Sequence, residues 1–333
     1  MAKVNVLMPV YNGEKYLEEA IKSILDQTFI DFKFIIIDDG SIDKSVEIIK
    51  SFIDSRIELH KNDENLKLIA TLNKGLDLCN AEYIVRMDAD DISLPERIEK
   101  QVLFMDQNPN VVCSGTSFID FDEYQTKEIH YDTDDSRIRI KHLYQTQIAH
   151  PTAIWRTETI KINDLKFDFR FPHCEDYEFW TRMGHFGLLA NLPEILVKKR
   201  EHFENVSNQY ACIQEKSCVK VKMNEFERIG VVASESQVAL YARMAYADFT
   251  LNTIEIEELG IFLNRLFDAN QKTGYINHNA FDRYLSQKWF HLIYSSNITW
   301  NNKNRLIKLN QQWSQNFSLY SKAKMFVKGL NNK

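Results

Sequence analysis

Glycine and proline are scarce in this chain, at ten and six of 333 residues. Such a composition excludes collagen-like and low-complexity chains, and a hydrophobic content of 44% is enough to fill one large core or two smaller ones. Two phosphate-binding signatures are also missing. No pair of glycines has the GxG spacing of a dinucleotide site, and no GxxxxGK run is present, so nucleotide phosphates would have to be held by other groups.

The chain has five cysteines, an odd number, and no CxxC motif. This pattern favours reduced thiols over a disulfide framework or a zinc site. The sequence leads directly into a predicted strand, without a signal peptide or an apolar run of membrane-spanning length. We therefore expect a cytoplasmic protein with free thiols.

Acidic residues end at Asp282, and the nine charged residues after it are all basic. With a net charge of −6 for the whole chain, residues 1–282 carry −15, which argues against a general nucleic-acid binder. Aromatic residues mix with lysines over residues 300–327. This pattern predicts an amphipathic helix, so that residues 283–333 would contact the inner face of the cytoplasmic membrane. Docking on the acidic body of the chain, or a homodimer contact, are the alternatives.

Strand and helix patterns alternate through the first half of the chain. Predicted strands cover residues 4–10, 34–37, 56–60, 82–86 and 111–121, and predicted helices cover residues 14–27, 68–78 and 95–107. Repeated βαβ units predict a mainly parallel sheet, and the ligands of such sheets bind beyond the carboxyl ends of the strands. The apolar spacing is helical from about residue 211 onwards. We therefore predict an α/β domain over residues 1–210 and a helical region over residues 211–333.

Polar clusters follow three of the predicted strands: Tyr11-Asn12-Gly13, Asp38-Asp39-Gly40-Ser41 and Asp88-Ala89-Asp90-Asp91. If the strands are neighbours, the clusters line one crevice. The three carboxylates of the last cluster repel one another, and a divalent cation relieves that repulsion. Hard oxygen ligands suit Mg²⁺ or Mn²⁺, which can also hold a substrate diphosphate. The alternative is a solvated acidic turn that caps a helix.

These clusters, in this order and spacing, resemble the motifs of the inverting GT-A glycosyltransferases of family 2, over roughly residues 1–210. Residues 86–97 look like a branch that builds bacterial surface polysaccharides such as O-antigen, capsule or lipooligosaccharide. The resemblance implies a Rossmann-like GT-A fold, a mainly parallel sheet flanked by helices, with a helical C-terminal region. It also implies a nucleotide-sugar donor, Mn²⁺ or Mg²⁺, and a saccharide or lipid-linked saccharide acceptor.

The resemblance assigns the first two clusters to the nucleotide. Pro9, Tyr11 and Asn12 would border the base and ribose of the donor. Asp39 would accept a hydrogen bond from the base, with Asp38 beside it. Because a carboxylate pairs well with an imide N–H, uracil or thymine is favoured over cytosine, and a UDP-sugar is the expected donor.

The same resemblance assigns the third cluster to metal and ribose. Asp90 would bind the metal, and Asp88, next to Ala89, would bind the metal or the ribose. His202, in an Arg-x-His segment, would be a third metal ligand or a diphosphate contact, with a purely structural role as the alternative. Residues 203–208 would close over the donor.

One helix departs from the frequent form of the family. Leu72 stands where many relatives carry a basic residue, so a phosphate contact would pass to another residue such as Lys67. Asn73 matches the family and would face the donor. Both helix positions could equally serve packing.

Inverting transfer needs a base that deprotonates the acceptor hydroxyl. The Glu175-Asp176 pair resembles the family's acidic motif at a helix start, with Asp176 as the base and Glu175 orienting it or contacting the acceptor. The alternative is that both are ordinary first-turn helix acids. His150 would touch the donor sugar or satisfy a turn. Trp155 and Trp180 would stack on a sugar ring or pack in the core.

Two other classes of function remain as alternatives. A sugar-nucleotide nucleotidyltransferase also combines a parallel sheet with paired carboxylates and a metal, but it would be expected to have a glycine-rich, basic N-terminal loop, which this chain lacks. A non-catalytic sugar-binding module would have no need of three carboxylates and a base. The sequence favours the transferase.

Overall fold

The computed structural model describes residues 2–202 and 210–314. The predicted donor-covering loop, residues 203–208, and the end of the basic tail, residues 315–333, lie outside this range. The chain divides into two compact units. Residues 1–138 and 146–218 form the first unit, and residues 139–145 and 219–333 belong to the second.

The first unit is built on a nine-stranded sheet. Its strands are β1 Val4–Val10, β2 Phe32–Asp38, β3 Ile57–Lys61, β4 Tyr83–Arg86, β5 Ile92–Ser93, β6 Val111–Phe121, β7 Thr126–Ile129, β8 Ile154–Arg156 and β9 Leu188–Arg200. The order is β3-β2-β1-β4-β8-β6-β9-β5, and β7 pairs with β6. The predicted α/β class is therefore confirmed.

Four neighbouring strands, β3, β2, β1 and β4, are parallel. Val10 of β1 lies opposite Asp38 of β2, and Leu7 of β1 lies opposite Arg86 of β4. The carboxyl ends of β1, β2 and β4 therefore meet at one edge, where the order of strands along the chain reverses. Such a switch point is where open α/β sheets bind ligands. The strands beyond β4 include antiparallel pairs, so the complete sheet is mixed.

Helices cover both faces of the sheet. Those of the first unit are α1 Leu17–Leu25, α2 Ser45–Ser51, α3 Leu68–Leu78, α4 Arg97–Gln107, α6 Thr157–Ile162 and α7 Glu175–Met183, with a 3₁₀ turn at His150–Thr152. α5 Asp135–His142 and α8 Ala211–Ile229 contribute residues to both units. Strand residues alternate between two apolar clusters, as the pleat requires: Met8 joins the cluster that contains Ile21, and Leu7 joins the one that contains Leu72.

The second unit is helical, as predicted. Its further helices are α9 Glu235–Ala245, α10 Thr253–Thr273, α11 His278–Ser295, α12 Trp300–Leu309 and α13 Gln311–Ser314. Capping boxes fix the starts of two of them, because Ser234 pairs with Gln237 and Asn252 pairs with Glu255. No helix among the described residues is long and apolar enough to cross a membrane.

The described part of the basic tail packs within its own unit. Trp313 is fully buried, and its Nε1 donates a hydrogen bond to Asp282 Oδ1 over 3.0 Å. Lys303 is also fully buried, and Arg305 forms an ion pair with Glu257 at 2.6 Å. Trp313 and Lys303 are therefore used in internal contacts, and the membrane contact predicted for residues 283–333 stays a prediction.

Two cysteines are joined by a disulfide, which corrects the expectation of free thiols throughout. Cys174 and Cys218 are paired, with their Cα atoms 5.8 Å apart. Cys79 and Cys113 are free and buried, and Cys212 is free and exposed. The pair is 44 residues apart in the chain and has no local signature, so only the fold reveals it.

Candidate active site at the strand ends

The segments after β1 and β2 are joined by hydrogen bonds. The Asn12 N–H donates to Ser41 Oγ over 2.9 Å, and the Gly13 N–H donates to Ser45 Oγ over 2.8 Å. In return the Ile42 N–H donates to Asn12 Oδ1 over 3.0 Å. Asn12 has a φ of +50°, a left-handed conformation that asparagine tolerates better than most residues. The first two polar clusters therefore form one connected surface.

The third cluster lies against the first. A Cβ built on Gly13 would lie 3.7 Å from the Cβ of Ala89. Tyr11, at the end of β1, is about half exposed, and Pro9 before it is partly exposed. The predicted meeting of the three clusters at one edge of the sheet is confirmed.

Asp39 is held by a buried network behind this edge. Its Oδ1 accepts hydrogen bonds from Asn62 Nδ2 over 2.7 Å and from the Leu66 N–H over 2.9 Å. Asn62 Oδ1 in turn accepts from Lys74 Nζ over 2.6 Å. The neighbouring Asp38 is fully buried, and neither of its carboxylate oxygens has a partner within the described residues. The structure therefore anchors Asp39, and the carboxylate of Asp38 takes no part in this network, although its carbonyl oxygen accepts from the Asn62 N–H over 2.8 Å.

Arg86 links the third cluster to the 3₁₀ turn. Its buried guanidinium donates to the Met87 carbonyl oxygen and forms an ion pair with Asp88 Oδ1. Its Nε also donates to His150 Nε2 over 3.3 Å. Burial lowers the pKa of His150 well below its usual value, and the Arg86 charge adds to that effect. His150 is therefore a neutral acceptor that helps to hold Arg86.

A second buried guanidinium lies beneath the carboxylates. Arg97 Nη2 donates to the Arg86 carbonyl oxygen over 2.7 Å, and its Nε donates to Gln101 Oε1 over 3.0 Å. Burial lowers the pKa of Arg97 to about 9. Neither arginine was assigned a role from the sequence. The sequence could have indicated a role for Arg86, because a cation at the end of an apolar strand needs anionic partners.

β9 supplies the other side of the third cluster. The Arg200 N–H donates to Asp91 Oδ1 over 2.8 Å, and Arg200 Nε donates to the Asp90 carbonyl oxygen over 3.0 Å. Burial raises the pKa of Asp91 well above its usual value, with the charges of Asp90 and Asp88 acting in the same direction. Beyond β9, His202 Nε2 lies 3.0 Å from Asp90 Oδ2.

Within residues 2–202 and 210–314, no group of three or more His, Cys, Asp or Glu side chains is arranged to hold a metal. The predicted ligand Asp88 has one oxygen engaged by Arg86, which leaves Asp90 and His202 as a two-residue pair. Mg²⁺ is commonly bound by one or two protein groups together with substrate phosphates, and imidazole suits the softer Mn²⁺. The pair therefore fits a cation that completes its ligand set from a bound diphosphate.

Glu175 and Asp176 open α7, as predicted. Asp176 Oδ1 accepts from the Tyr177 N–H over 2.6 Å. Burial raises the pKa of Asp176 to about 6, and the negative charge of Asp88 acts in the same direction. Glu175 is 5% exposed, and burial raises its pKa, followed by the charge of Asp176. Because the charge of Asp88 contributes to the raised pKa of Asp176, the two carboxylates lie near enough to interact.

The structure bears on the roles predicted for Asn73, the two tryptophans and Lys67. Asn73 Nδ2 donates to the Phe167 carbonyl oxygen over 2.9 Å, and Asn73 Oδ1 accepts from the Phe167 N–H over 2.8 Å. Both ends of this amide are therefore used inside the protein, which agrees with the packing role that the sequence left open, and the donor contact stays a prediction. Trp155 and Trp180 are fully buried, so neither is available to stack on a sugar. Lys67 is exposed before α3 with a φ of +73°, and its phosphate contact remains a prediction.

The model of the family described as glycosyl transferase family 2 matches residues 5–188. This match covers more than half of the chain, and it fits the parallel strands, the acidic edge and the helix start described above. The chain belongs to glycosyltransferase family 2 and is a transferase enzyme.

Two relatives of similar sequence are also described as glycosyltransferases. An uncharacterized glycosyltransferase of Haemophilus influenzae is 37% identical over 261 residues, which cover 73% of this chain and 96% of the relative. The O-antigen biosynthesis glycosyltransferase WbnJ of Escherichia coli is 31% identical over 232 residues, which cover 67% of this chain and 88% of WbnJ.

Two solved structures share the fold. S. aureus TarS in complex with UDP-GlcNAc has a TM-score of 0.57 at 18% identity, covering 99% of this chain and 90% of that one. The mannosyltransferase PcManGT from Pyrobaculum calidifontis, in complex with GDP-Man and Mn²⁺, has a TM-score of 0.54 at 15% identity, covering 99% and 87%. These similarities identify the GT-A-like fold of the chain.

Proposed function

We propose that this enzyme is a metal-dependent, inverting glycosyltransferase that moves a sugar from a UDP-sugar to a saccharide acceptor during bacterial surface-polysaccharide synthesis. The observation that carries the proposal is the meeting of the three polar clusters at one edge of the sheet. Asp176 lies near enough for the charge of Asp88 to affect its pKa. The name of the relative WbnJ supports O-antigen, capsule or lipooligosaccharide as the kind of product.

Asp39 is the proposed base-recognition residue. Asn62 and Leu66 hold one of its oxygens, so the carboxylate is fixed before a ligand arrives. A carboxylate that faces N3 of the base accepts from the imide N–H of uracil, whereas N3 of cytosine is itself an acceptor. Tyr11, Pro9 and Asn12 border this position and would contact the base and ribose. The complex of TarS with UDP-GlcNAc supports a uridine nucleotide.

Asp90 and His202 are the proposed metal-holding residues. A bound Mn²⁺ or Mg²⁺ would supply Lewis-acid stabilisation of the departing nucleoside diphosphate. Asp88, next to Ala89, would contact the ribose or the cation, and its ion pair with Arg86 holds it in position. Exposed Lys67 is the proposed diphosphate contact in place of the basic residue absent at Leu72.

Asp176 is the proposed base. Its carboxylate accepts the proton of the acceptor hydroxyl, whose oxygen bonds to the anomeric carbon as the bond to the diphosphate oxygen breaks. With a pKa near 6 it is ionised at neutral pH, yet it is a stronger base than an ordinary aspartate. The raised pKa of Glu175 favours its protonated form, which can donate a hydrogen bond to the acceptor.

The proposed place of action is the cytoplasm, at the inner face of the cytoplasmic membrane. Lipid-linked saccharides would present the acceptor there. Within the part of the chain that the structure describes, Trp313 and Lys303 are used for internal packing, whereas Arg283 and Lys308 are exposed. These two residues and the four lysines of residues 315–333 are the proposed membrane-facing charges.

Calorimetric titration of UDP, GDP, CDP and dTDP into the protein, first with Mn²⁺ and then with EDTA, tests the proposal. We expect UDP to bind in the presence of Mn²⁺ and to lose affinity in EDTA. Transfer from the matching UDP-sugar should then give a product of opposite anomeric configuration, read by NMR. Absence of binding by every nucleotide to folded protein would refute the donor assignment.

A further inference from the structure

One face at the start of α8 contacts the two residues that precede the proposed catalytic pair. Tyr210, Gln214 and Cys218 recur at intervals of four, so they lie on the same side of the helix. Each of them contacts His173 or Cys174. All five residues belong to the first unit. We call the three α8-side residues the strap.

The strap makes three different kinds of contact. The rings of Tyr210 and His173 stack with centroids 4.4 Å apart and planes 6° apart. Gln214 Nε2 donates to the His173 carbonyl oxygen over 2.9 Å. Cys218 is joined to Cys174 by the disulfide. A stack, a hydrogen bond and a covalent bond thus converge on one short stretch of backbone.

That stretch has a backbone conformation that needs external support. His173 has a φ of +60°, in the left-handed region that costs free energy for residues with a Cβ. Cys174 is the N-cap of α7 and makes no side-chain capping bond to the helix. The direction in which α7 starts is therefore set by the contacts of these two residues, and Asp176 follows within the first turn.

We propose that the strap positions Asp176 for proton transfer, and that the Cys174–Cys218 disulfide makes this positioning sensitive to thiols. The inference rests on the proposed role of Asp176 as the base. Asp39 lies in a separate network with Asn62 and Leu66, and it has no bond to the strap. Opening the disulfide should therefore lower turnover and leave nucleotide binding unchanged.

The redox step is ordinary thiol–disulfide exchange with a dithiol. The Cys174–Cys218 bond breaks, two electrons and two protons pass to the two sulfurs, and the dithiol closes to its own disulfide. Dithiothreitol serves in vitro, and a thioredoxin-type protein is the corresponding class in a cell. Cytosolic dithiols keep most protein thiols reduced, so the bonded form would accumulate only under oxidising conditions.

The chain offers a matched control. Cys212 lies on the same helix, is exposed and is free. The test protein is Cys212→Ser, which removes side reactions of that thiol, and the comparison protein is Cys212→Ser with Cys218→Ser. Thiol counting by mass spectrometry verifies the state of the disulfide before each measurement.

Hydrogen exchange of peptides covering α7 gives a readout that needs no substrate. We expect reduction, or Cys218→Ser, to raise exchange at the start of α7, including the Tyr177 N–H, and reoxidation with oxidised glutathione to restore protection. Unchanged exchange in the reduced protein and in Cys218→Ser would overturn the proposed role of the strap, whether or not the protein binds nucleotides.

Steady-state kinetics and calorimetry then separate turnover from binding. With the nucleotide sugar selected by titration, we expect kcat to fall on the order of tenfold on reduction, because small displacements of a base are costly. The Kd for UDP should stay the same. Equal kcat in both redox states, or a changed Kd for UDP on reduction, would overturn the positioning role. Absence of UDP binding in both redox states would count against the proposed function instead.

Discussion

His202 Nε2 lies 3.0 Å from Asp90 Oδ2 although 112 residues separate the two in the chain. β9 brings them together, because its last residue, Arg200, bonds to both Asp90 and Asp91. The side chain of Arg200 also lies over the ring of Tyr16, 4.4 Å from its centroid. The acidic edge is therefore closed by the end of a strand from the far side of the sheet.

The Asp90–His202 pair gives the first prediction. We expect Asp90→Ala and His202→Ala each to weaken UDP binding in Mn²⁺ by at least roughly tenfold, because each removes one protein ligand of the cation. Binding in EDTA should barely change. Calorimetry measures both, and His278→Ala, at an exposed histidine of the second unit, is the control. Wild-type affinity of both site variants in Mn²⁺ would exclude this metal assignment.

The second prediction concerns the base. Asp176→Asn should lower kcat by roughly 10²- to 10⁴-fold, since the amide cannot accept the acceptor's proton. The Kd for UDP should remain within about twofold of the wild-type value. Asp164→Asn is the matched control, at an exposed aspartate whose φ of +47° asparagine tolerates. Normal turnover by Asp176→Asn would show that another group removes the proton.

The pH dependence of turnover gives the third prediction. Because burial raises the pKa of Asp176 to about 6, kcat should fall as pH decreases through 6, where the carboxylate gains a proton. The negative charge of Asp88 contributes to that rise, so Asp88→Asn should move the acid limb to lower pH. Measuring kcat of the wild type and of Asp88→Asn between pH 4.5 and 8 tests both expectations. An acid limb at the same pH in Asp88→Asn would mean that the two carboxylates do not interact.

The fourth prediction concerns Asn73, whose substitution distinguishes a structural role from a contact with the donor. Removal of its amide by Asn73→Ala leaves the Phe167 N–H and carbonyl oxygen without their partner. We expect the free energy of unfolding to fall by about 1–3 kcal/mol, with an unchanged Kd for UDP. Chemical denaturation and calorimetry measure the two quantities. A stable variant with weakened UDP binding would restore the donor contact predicted from the sequence.

Strands, helices and polar clusters that depend on local sequence patterns were predicted correctly. The strands Val4–Val10 and Val111–Phe121 and the helix Leu68–Leu78 have the bounds that their apolar patterns predict. The polar clusters also lie where predicted, because the carboxyl ends of parallel strands must meet at one edge. Buried parallel strands are continuous apolar runs, and these are the easiest patterns to recognise.

Long-range partners could not be predicted in the same way. The Cys174–Cys218 pair, the burial of Arg97 under the carboxylates and the bond between Trp313 and Asp282 each join residues with no local pattern. The antiparallel pairing of β5 with β9 could not be predicted either. β5 has only two residues, and its partner strand lies about 100 residues later in the chain. Charge and aromatic content alone therefore do not decide between a membrane surface and internal packing for the C-terminal helices.

The buried chain Asp39–Asn62–Lys74 has a consequence for how nucleotide preference can change. Asn62 follows β3 and Lys74 lies on α3, so the carboxylate proposed to face the base is held from the side of the sheet opposite to α1. A substitution at Lys74 alters the hydrogen bonding of Asn62 and, through it, the orientation of Asp39. Selectivity among nucleotides is therefore open to adjustment by mutations that leave every ligand-contacting residue in place.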